Sequence, residues 1–388
     1  MDFQLTQEQR MLRQTVREFA EAEIAPLVEE YEAEAKFPRP VILRLWRELG
    51  LGGMSCSEEY GGLGLDPVSF VVVVEELARV WAALSIAVSV HNSVGVQLID
   101  IHGNEAQRRE YLPKLTSDWI AAFSLSEPGA GSDVSAIRAV AVREGDHYAL
   151  SGEKNWVTNG QTADLYIVFV KTDPAAGSRG ITAFIVERAL PGLTVSRPER
   201  KMGIKSSEAV VLSFDRCRVP ARNRLGEEGQ GFKIAMLELD AGRIGVGAQA
   251  VGIAQAALER ALRYAREREA FGKPIAEFQA VQWMLADMAT ELYAMKNMVY
   301  ETAWRLDQGS RSRARAAMVK LFCTEAIGRI ADRAVQIHGG MGYMKEAPIE
   351  GIYREVRAMR IYEGTSEIQR LIISRDVLKN AMKSLGID

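Results

Sequence analysis

The spacing of apolar residues along the chain changes twice, and each change predicts a different kind of secondary structure. From Thr6 to about Leu115, apolar residues recur three or four positions apart, which predicts helices. Between about Ile120 and Pro220 they form short runs such as LYIVFV and ITAFIV, which indicate strands. From about Gly229 onward the helical spacing returns. The predicted domains are an N-terminal helical domain at 1–119, a central β domain at 120–227 and a C-terminal helical domain at 228–388.

The order of these segments predicts the fold class. The strands follow one another without long helical patterns between them, which favours an antiparallel sheet or barrel over a doubly wound nucleotide-binding fold. The segment AVAVREGDHYALSG predicts a hairpin that turns at 144–146. Breaks at FGKP (271–274), GS (309–310) and HGGMGY (338–343) leave four long helical segments, enough for a four-helix bundle. The predicted class is α+β and mostly α.

Composition and charge argue against several classes of partner. Of the 388 residues, 47% are apolar and 26% are charged, which is ordinary for a globular protein. A formal net charge of −3 gives no general attraction to nucleic acid or to an anionic membrane. We expect the basic cluster RSRAR at 311–315 to be the solvated start of a helix.

Cysteine and histidine usage argues against a metal site. Cys56, Cys217 and Cys323 lie too far apart for metal-ligand spacing, and the four histidines form no HExxH motif. Three cysteines cannot all pair within one chain, which suggests a reducing compartment. The N-terminus has no apolar targeting segment, and no apolar run approaches the length of a membrane span. We therefore expect a soluble cytoplasmic protein.

The segment IYEGTSEIQR at 361–370 places a carboxylate next to a glycine at the start of the last predicted helix. Apolar spacing downstream predicts that this helix begins close to Ser366, and Ser366 and Gln369 have the spacing of a capping box. Glu363 then lies on a turn outside the helix, where Gly364 gives the backbone additional conformational freedom. Taken alone, this pattern favours a solvated loop acid, and Glu363 becomes a candidate functional acid only in the context of the rest of the chain.

Two common classes of enzyme lack their motifs. There is no GxSxG elbow for a serine hydrolase. Gly245, Gly247 and Ala250 match GxGxxA, but they continue a helical segment, whereas a dinucleotide-binding motif follows a strand. We interpret these small residues as positions of close helix packing.

Three glycine-rich turns could approach a ligand closely. FSLSEPGAGSD at 123–133 supplies hydroxyl groups and backbone N–H groups. WVTNG at 156–160 places an aromatic ring and a threonine at a strand end. QIHGGMG at 336–342 interrupts a helix with glycines. Each turn alone is weak support for a binding site.

Together, six segments are specific. EYGGLG, SEPGAGSD, WVTNG, EREAFGKP, QIHGGMGY and IYEGTSEIQR, in this order, resemble the acyl-CoA dehydrogenase family, and the likeness runs from the first helix to the last. The resemblance implies an FAD-dependent oxidoreductase that converts acyl-CoA thioesters to trans-2-enoyl-CoA in fatty-acid β-oxidation or branched-chain amino-acid catabolism. It also implies a homotetramer, a dimer of dimers, that passes electrons to electron-transferring flavoprotein.

The same resemblance assigns roles to individual residues. The residues that would contact FAD are Phe123, Leu125, Ser126, Trp156, Thr158, Arg268, Phe271, Gln279, Gln336, Gly339, Gly340, Thr365 and Glu367. Of these, Arg268, Phe271 and Gln279 would reach the FAD of a neighbouring subunit, and 336–340 would hold its adenosine side. The residues that would bind the substrate are Ser132, Asp240, Arg243, Tyr362 and Gly364.

By resemblance, Glu363 is the base that takes the α-proton while a hydride leaves the β-carbon for the flavin. Its backbone N–H and a flavin ribityl hydroxyl would polarise the thioester carbonyl. An apolar pocket would raise the pKa of the carboxyl towards working pH. In isovaleryl and long-chain relatives the base stands at the position of Gly242, so Glu363 favours the short- and medium-chain arrangement, and 240–255 looks most like the butyryl branch.

Two alternatives remain open from the sequence. An acyl-CoA oxidase would pass its electrons to oxygen, and a non-catalytic flavin-binding scaffold would have lost the reaction. The acyl chain is also open: short straight chains are the first expectation and short branched chains the second.

Overall fold

A computed structural model describes residues 4–380 and has three parts in chain order: helices, a sheet and helices again. The first helices are α1 (Gln7–Phe19), α2 (Val28–Glu34), α3 (Arg39–Leu49), α4 (Pro67–Val80), α5 (Ala82–His91), α6 (Gln97–His102) and α7 (Glu105–Ser117). The strands that follow are β1 (Ala121–Ser124), β2 (Val140–Glu144), β3 (His147–Thr158), β4 (Leu165–Lys171), β5 (Ile181–Glu187), β6 (Leu193–Val195), β7 (Ala209–Pro220) and β8 (Arg224–Leu225). The last elements are α8 (Gly231–Glu267), the short strands β9 (Glu269–Ala270) and β10 (Lys273–Pro274), α9 (Gln279–Asp307), α10 (Arg313–His338), α11 (Ile349–Val356) and α12 (Ser366–Asn380).

The eight-stranded sheet is mostly antiparallel, as predicted. Its order is β6–β7–β3–β2–β4–β5–β8, with β1 attached to β4. The predicted hairpin is confirmed, because Glu144 pairs with His147 and Gly145 takes a positive φ of 67° between them. The exceptions to the antiparallel prediction are the parallel pairs β1–β4 and, at one residue pair, β2–β4. The chain leaves β1, forms the β2–β3 hairpin and returns beside β1 in the same direction, and such a crossover produces a parallel pair.

Strand β4 shows why the run LYIVFV has no polar alternation. Leu165, Ile167 and Phe169 belong to a core shared with the helices on one face of the sheet. Tyr166 and Val168 belong to a second core on the other face. Because both faces of the strand are buried, nearly every position is apolar.

The C-terminal helices form the predicted bundle, with breaks where the sequence places them. The long helices are α8, α9, α10 and α12. The start of α10 differs from the expectation, because Arg315 is only 9% exposed and approaches Glu301 at 3.8 Å. The cluster at 311–315 does begin a helix, but packing of α10 against α9 removes Arg315 from solvent.

Close helix packing explains the glycines of α8. A Cβ atom on Gly247 would lie 2.5 Å from Val319 Cγ1, and one on Gly252 would lie 2.2 Å from the carbonyl oxygen of Glu75. Both distances are far below van der Waals contact, so only glycine allows α10 and α4 to approach α8 this closely. The interpretation of the GxGxxA match as a packing feature is confirmed.

Two further observations bear on the sequence expectations. Cys56, Cys217 and Cys323 are all buried and free. Among the described residues, the helical stretch Ala82–His102 is long and apolar enough by composition to span a bilayer, but 83% of its most apolar window is buried inside the protein.

Candidate active site

The turn before α12 has a strained backbone. Glu363 has a φ of 53° and Gly364 a φ of 92°, so two consecutive residues are left-handed. Left-handed φ in a residue other than glycine costs about 1–3 kcal/mol and occurs where the surroundings enforce it. Here the Gly364 carbonyl accepts hydrogen bonds from Lys320 Nζ at 2.8 Å and Gln369 Nε2 at 2.9 Å, and Gln369 Nε2 also donates to the Glu363 carbonyl at 3.2 Å.

Helix α12 begins at Ser366 as predicted, but the predicted capping box is wrong. The cap is Thr365, whose Oγ1 accepts from the backbone N–H of Ile368 at 3.3 Å. Ser366 Oγ instead donates to Glu325 Oε1 at 2.6 Å on α10. Gln369 is drawn away from the helix start, because its amide group bonds the strained turn. The spacing rule placed the cap one residue late.

The carboxylate of Glu363 points at helix α8. A Cβ atom on Gly242 would lie 2.7 Å from Glu363 Oε2. This oxygen is buried and has no hydrogen-bond partner among the described residues. Gly242 of α8 and Glu363 of the turn before α12 are therefore adjacent in space although they lie far apart in the chain.

Burial and two cations act on this carboxylate in opposite directions. Burial raises the pKa of Glu363 to about 7, and the charges of Arg243 and Lys320 oppose that rise. Lys320 is fully buried, which lowers its pKa to about 8 against the attraction of Glu363. Glu363 therefore changes its charge near neutral pH, where a general base is most effective.

Arg243 and Asp240 form a second pair beside the turn. Arg243 is 2% exposed and bonds Asp240 one helical turn earlier on α8, while Arg313 lies 3.6 Å from the same Asp240 oxygen. Arg243 Nε also faces the Glu363 carbonyl at 3.5 Å, a long contact. Burial raises the pKa of Asp240, and the charge of Arg243 opposes that rise. The structure thus brings together four predicted site residues: Asp240, Arg243, Glu363 and Gly364.

The Tyr362 side chain also contacts α8, about two helical turns beyond Gly242. Its hydroxyl donates to Gln249 Oε1 at 2.8 Å, and Gln249 Nε2 donates to the Ala82 carbonyl at 3.1 Å. Because Tyr362 contacts both the N-terminal core and the bundle core, it ties the strained turn to both parts. Gln249, a buried polar residue on α8, was not predicted from the sequence.

A β-bulge directs Trp156 outwards. Lys154 pairs with Leu212 and Val157 with Val210, so two residues of β3 lie opposite one residue of β7. Trp156, one of the two, has a φ of 57° and a side chain that is 59% exposed. Bulges turn side chains in this way near functional sites. A Cβ atom on Gly131 would lie 3.8 Å from the Trp156 ring, so the glycine-rich loop after β1 runs past it.

A buried ion pair holds that loop to β3. Lys154 is fully buried, and its Nζ donates to Glu127 Oε1 at 2.8 Å and to the Leu125 carbonyl at 3.0 Å. Glu127 also accepts the backbone N–H of Ala139 at 3.0 Å, and the Ser126 carbonyl accepts that of Asn155 at 2.8 Å. Leu125 and Ser126 therefore have fixed backbones next to Trp156 and Thr158.

A second group of predicted cofactor residues lies at the other end of the bundle, whereas Thr365 and Glu367 lie at the start of α12 beside Glu363. Arg268 and Phe271 are exposed on the connection between α8 and α9, with Phe271 95% exposed, and Gln279 is exposed at the first residue of α9. The rings of Tyr264 and His338 stack with their centroids 4.4 Å apart, which places residues 336–340 at the same end of the bundle. Residues 242–267 of α8 span about 38 Å at 1.5 Å per residue, so this end is remote from Glu363 within one chain.

The residues present fit FAD in both regions. The exposed face of Trp156 beside an open glycine loop suits a flat ring system. Gly339 and Gly340 have no atom within 4 Å of an added Cβ, so the backbone there is open to a ligand. The ring centroids of Phe123 and Phe169 lie 5.0 Å apart, and Thr158 is the last residue of β3. Three further predicted contacts are exposed: Ser132, Gln336 and Glu367.

Lys320, Lys154 and Glu127 were missed from the sequence, although a signal was present. Lys320 stands in the apolar helical run MVKLF, and Lys154 lies on a strand whose neighbours pack into a core. Charged residues are almost never fully buried without a partner, so a lysine at a core-facing position marks a specific interaction. Which carbonyl or carboxylate it meets depends on contacts between distant segments.

Comparison with known proteins gives full-length matches. Models of the N-terminal, middle and C-terminal domains of acyl-CoA dehydrogenases match residues 6–118, 122–217 and 229–378. An acyl-CoA dehydrogenase of Bacillus subtilis is 47% identical over 375 residues, which are 96% of this chain and 99% of that protein. The butyryl-CoA dehydrogenase structure from Megasphaera elsdenii superimposes with a TM-score of 0.95 at 41% identity and covers 98% of this chain and 100% of that one. A chain in the structure described as the electron transferring flavoprotein of Acidaminococcus fermentans has a TM-score of 0.96 at 43% identity and covers 98% and 100%.

Proposed function

The chain belongs to the acyl-CoA dehydrogenase family of FAD-dependent enzymes, and on this premise we propose that Glu363 is the base in the conversion of an acyl-CoA thioester to its trans-2-enoyl product. One observation carries the proposal. The Glu363 carboxylate projects from a strained turn against Gly242, and its buried Oε2 has no hydrogen-bond partner in the part of the chain that the structure describes. A buried oxygen without a donor is able to accept a substrate proton.

The residues around Glu363 have different proposed roles in the reaction. Lys320 and Gln369 fix the turn, so the carboxylate is aimed before a substrate arrives. No described residue accepts a hydrogen bond from the Glu363 backbone N–H, which leaves that donor for the thioester carbonyl, where negative charge develops. When bound, FAD supplies the two-electron oxidant. Asp240, Arg243, Tyr362, Gly364 and Ser132 are the proposed substrate contacts.

We assign a short acyl chain to this site. Gly242, Gly245 and Gln249 lie at helical spacing on one side of α8, and a Cβ atom on Gly245 would lie 3.0 Å from Ser89 Oγ and 3.3 Å from Phe70. Ser89 and Phe70 therefore fill the space beside Gly245, and the hydrogen-bonded Tyr362–Gln249 pair lies about one helical turn further along α8, so both limit the length of a chain that extends from the thioester in this direction. Displacing this buried pair to admit a longer chain would break its hydrogen bonds. Short straight chains are the primary assignment and short branched chains the second.

A homotetramer, as a dimer of dimers, is the proposed assembly. In one chain Arg268 and 336–340 are far from Glu363, so these predicted cofactor contacts would serve the FAD of a neighbouring subunit. Trp283 and Tyr293 are 65% and 72% exposed along α9, which is typical of a surface that binds another protein. A groove of about 380 Å³ between α9, α10 and α12 is lined by apolar residues that include Met298, Met318, Leu321, Phe322 and Ile373.

Electron-transferring flavoprotein is the proposed electron acceptor, and the cytoplasm is the proposed location. Likeness to a chain described with the electron transferring flavoprotein of Acidaminococcus fermentans supports the first, and three free buried thiols agree with the second. Oxygen consumption with peroxide release during turnover would instead identify an oxidase.

Anaerobic titration with acyl-CoA thioesters of increasing chain length tests this function. We expect a four-carbon thioester to bleach the flavin of the purified holoenzyme fastest. Glu363→Gln should slow bleaching about 10²- to 10⁴-fold, the usual contribution of a general base. Glu346→Gln, at an exposed site outside the proposed machinery, is the matched control. Normal bleaching by Glu363→Gln would refute the assignment of the base, and a flavin that no thioester bleaches would indicate a scaffold.

A further inference from the structure

We propose that Lys320 is a positioning residue for this reaction: its ammonium group holds the turn that carries Glu363, and its charge stabilises the ionised form of that carboxylate. The inference rests on the proposed role of Glu363 as the base. Lys320 itself touches neither substrate nor cofactor in this proposal, because it acts through Glu363 and Gly364.

The placement of Lys320 is unusual for a structural lysine. Its side chain is fully buried on α10, and its hydrogen bond is to a carbonyl, that of Gly364 at 2.8 Å. Among the described residues no carboxylate lies within 4 Å of Nζ, so it forms no ion pair. The other fully buried lysine, Lys154, does have such a partner in Glu127. Burying an ammonium group without a carboxylate destabilises a fold, so stability alone does not explain Lys320.

The hydrogen bond acts on the backbone of the base. Gly364 follows Glu363 in the left-handed turn, and donors on two helices, Lys320 on α10 and Gln369 on α12, converge on its carbonyl. A charged donor contributes more than a neutral one. Without the ammonium group, the Gln369 amide is the side-chain donor that remains on the Gly364 carbonyl among the described residues, and the aim of the carboxylate becomes less defined.

The charge acts on the ionisation of the base. Burial raises the pKa of Glu363, and Arg243 on α8 and Lys320 on α10 lower it, Arg243 more strongly. Arg243 is paired with Asp240, whereas Lys320 has no paired carboxylate within residues 4–380. Arg243 on α8 also acts on Lys320 and disfavours its charged form, whereas Glu325 on α10 and Glu367 on α12 favour it. Removing the Lys320 charge should therefore raise the pKa of Glu363 and leave less of the base ionised at neutral pH.

Two neutral variants separate the hydrogen bond from the charge. Lys320→Met removes both, and Lys320→Gln keeps a donor without the charge. The rate of flavin bleaching by a saturating short-chain thioester is measured anaerobically from pH 6 to 9 on the holoenzyme. In parallel, infrared titration of the carboxylic acid stretch, assigned by its absence in Glu363→Gln, reports the ionisation of Glu363 without any turnover.

Both neutral variants should move the acid limb of the rate profile and the infrared midpoint upwards by about one pH unit, the low end of the effect of a nearby opposite charge. Lys320→Met should also lower the high-pH plateau about tenfold, the effect of losing roughly 1.4 kcal/mol of positioning, with little change in KM. Lys296→Met is the matched control, because Lys296 is a structural cation paired with Glu75 at 3.0 Å. It should lower thermal stability and leave the acid limb in place.

The proposal fails if folded, flavin-loaded neutral variants keep the wild-type infrared midpoint and acid limb, whatever their stability. It also fails if Lys296→Met shifts the midpoint equally, since the effect would then be a general consequence of destabilisation. These outcomes differ from a failure of the proposed function, in which Glu363→Gln would retain normal bleaching.

Discussion

Gly242 of α8 and Glu363 of the turn before α12 are in direct contact, since a Cβ atom on Gly242 would lie 2.7 Å from Glu363 Oε2. Two segments more than a hundred residues apart thus define the position of one carboxylate. The absence of a side chain at 242 is a requirement of the site, because alanine would be preferred at this helical position on backbone grounds alone.

Gly242→Ala should therefore impair catalysis without unfolding the protein. The added methyl group would displace the Glu363 carboxylate, and we expect the bleaching rate to fall at least about tenfold, while the higher helix propensity of alanine offsets part of any strain by about 1 kcal/mol. Stopped-flow bleaching and thermal unfolding measure the two effects.

Gly247→Ala, five residues later on the same helix, is the contrasting variant. Its Cβ atom would meet Val319 Cγ1 at 2.5 Å and Val299 Cγ2 at 3.0 Å, in the bundle core. We expect a loss of about 1–3 kcal/mol of stability from overpacking, with a smaller effect on the rate. Equal losses of rate in the two variants would show that the Gly242 effect is not local to the carboxylate.

The pH dependence of the first half-reaction should follow Glu363. A base must be ionised to accept a proton, and the pKa of Glu363 is about 7, so the bleaching rate should rise with pH and reach half of its plateau near pH 7. A profile that is flat from pH 6 to 8 would contradict this prediction.

The raised pKa of Glu363 also predicts that stability depends on pH, and in the opposite direction to the bleaching rate. The pKa of Glu363 rises from its ordinary 4.5 to about 7 on folding, so between these values the folded state binds more protons than the unfolded state and loses stability as pH increases. Glu363→Gln should not lose stability in this way, because a glutamine side chain does not titrate. Its melting temperature should exceed that of the wild type by more at pH 8 than at pH 5, and a difference independent of pH would contradict the prediction.

Loss of the Lys154 ammonium group should loosen the loop that carries Leu125 and Ser126. Breaking a buried ion pair lowers the free energy of unfolding by about 3–5 kcal/mol. Because Glu127 still accepts hydrogen bonds from two backbone N–H groups, we expect the loss in Lys154→Met to lie at the lower end of this range. We expect weaker FAD retention, measured by flavin fluorescence on release, together with a lower unfolding midpoint.

The double variant Lys154→Met, Glu127→Gln tests whether the pair acts as a unit. Because it removes the uncompensated buried charge, it should be destabilised by less than the sum of the two single variants. Simple additivity would mean that the two side chains contribute independently.

His91 should make the protein sensitive to mild acid. Its Nε2–H donates to the Gly52 carbonyl at 2.8 Å, and its Nδ1 accepts the Ala121 N–H at 3.0 Å, so the ring is neutral in the fold. Burial lowers its pKa from 6.5 to about 4. The unfolded state therefore binds more protons between pH 6.5 and 4, and stability falls as pH decreases through that window, by roughly 3 kcal/mol.

His91→Gln is the comparison for this effect. It should be less stable than the wild type at pH 7, because one of the two hydrogen bonds is lost. Its melting temperature should decline less between pH 6.5 and 4. Parallel declines in the two proteins would assign the acid sensitivity to other groups.

The sequence alone determined the order of helices, strands and bundle, because burial imposes a period of 3.6 on a helix and of two on a strand, and both are visible in a linear pattern. It also determined which segments resemble a flavin enzyme, and this resemblance, rather than the local pattern around the acid, singled out Glu363 as the proposed base. The sequence alone placed the helix cap one residue late and predicted that Arg315 is exposed to solvent. Both predictions were wrong because the position of a cap and the burial of a side chain also depend on residues that are distant in the chain.

Only the tertiary structure decided what surrounds the acid. Gly242, Lys320 and Gln249 reach the turn from other helices, and their effects depend on distances of a few ångströms that no spacing rule encodes. The ionisation of a carboxylate depends on burial and on the charges around it, and both arise from segments far apart in the chain. The sequence therefore pointed to the proposed base, whereas long-range packing set the aim and the proton affinity of its carboxylate.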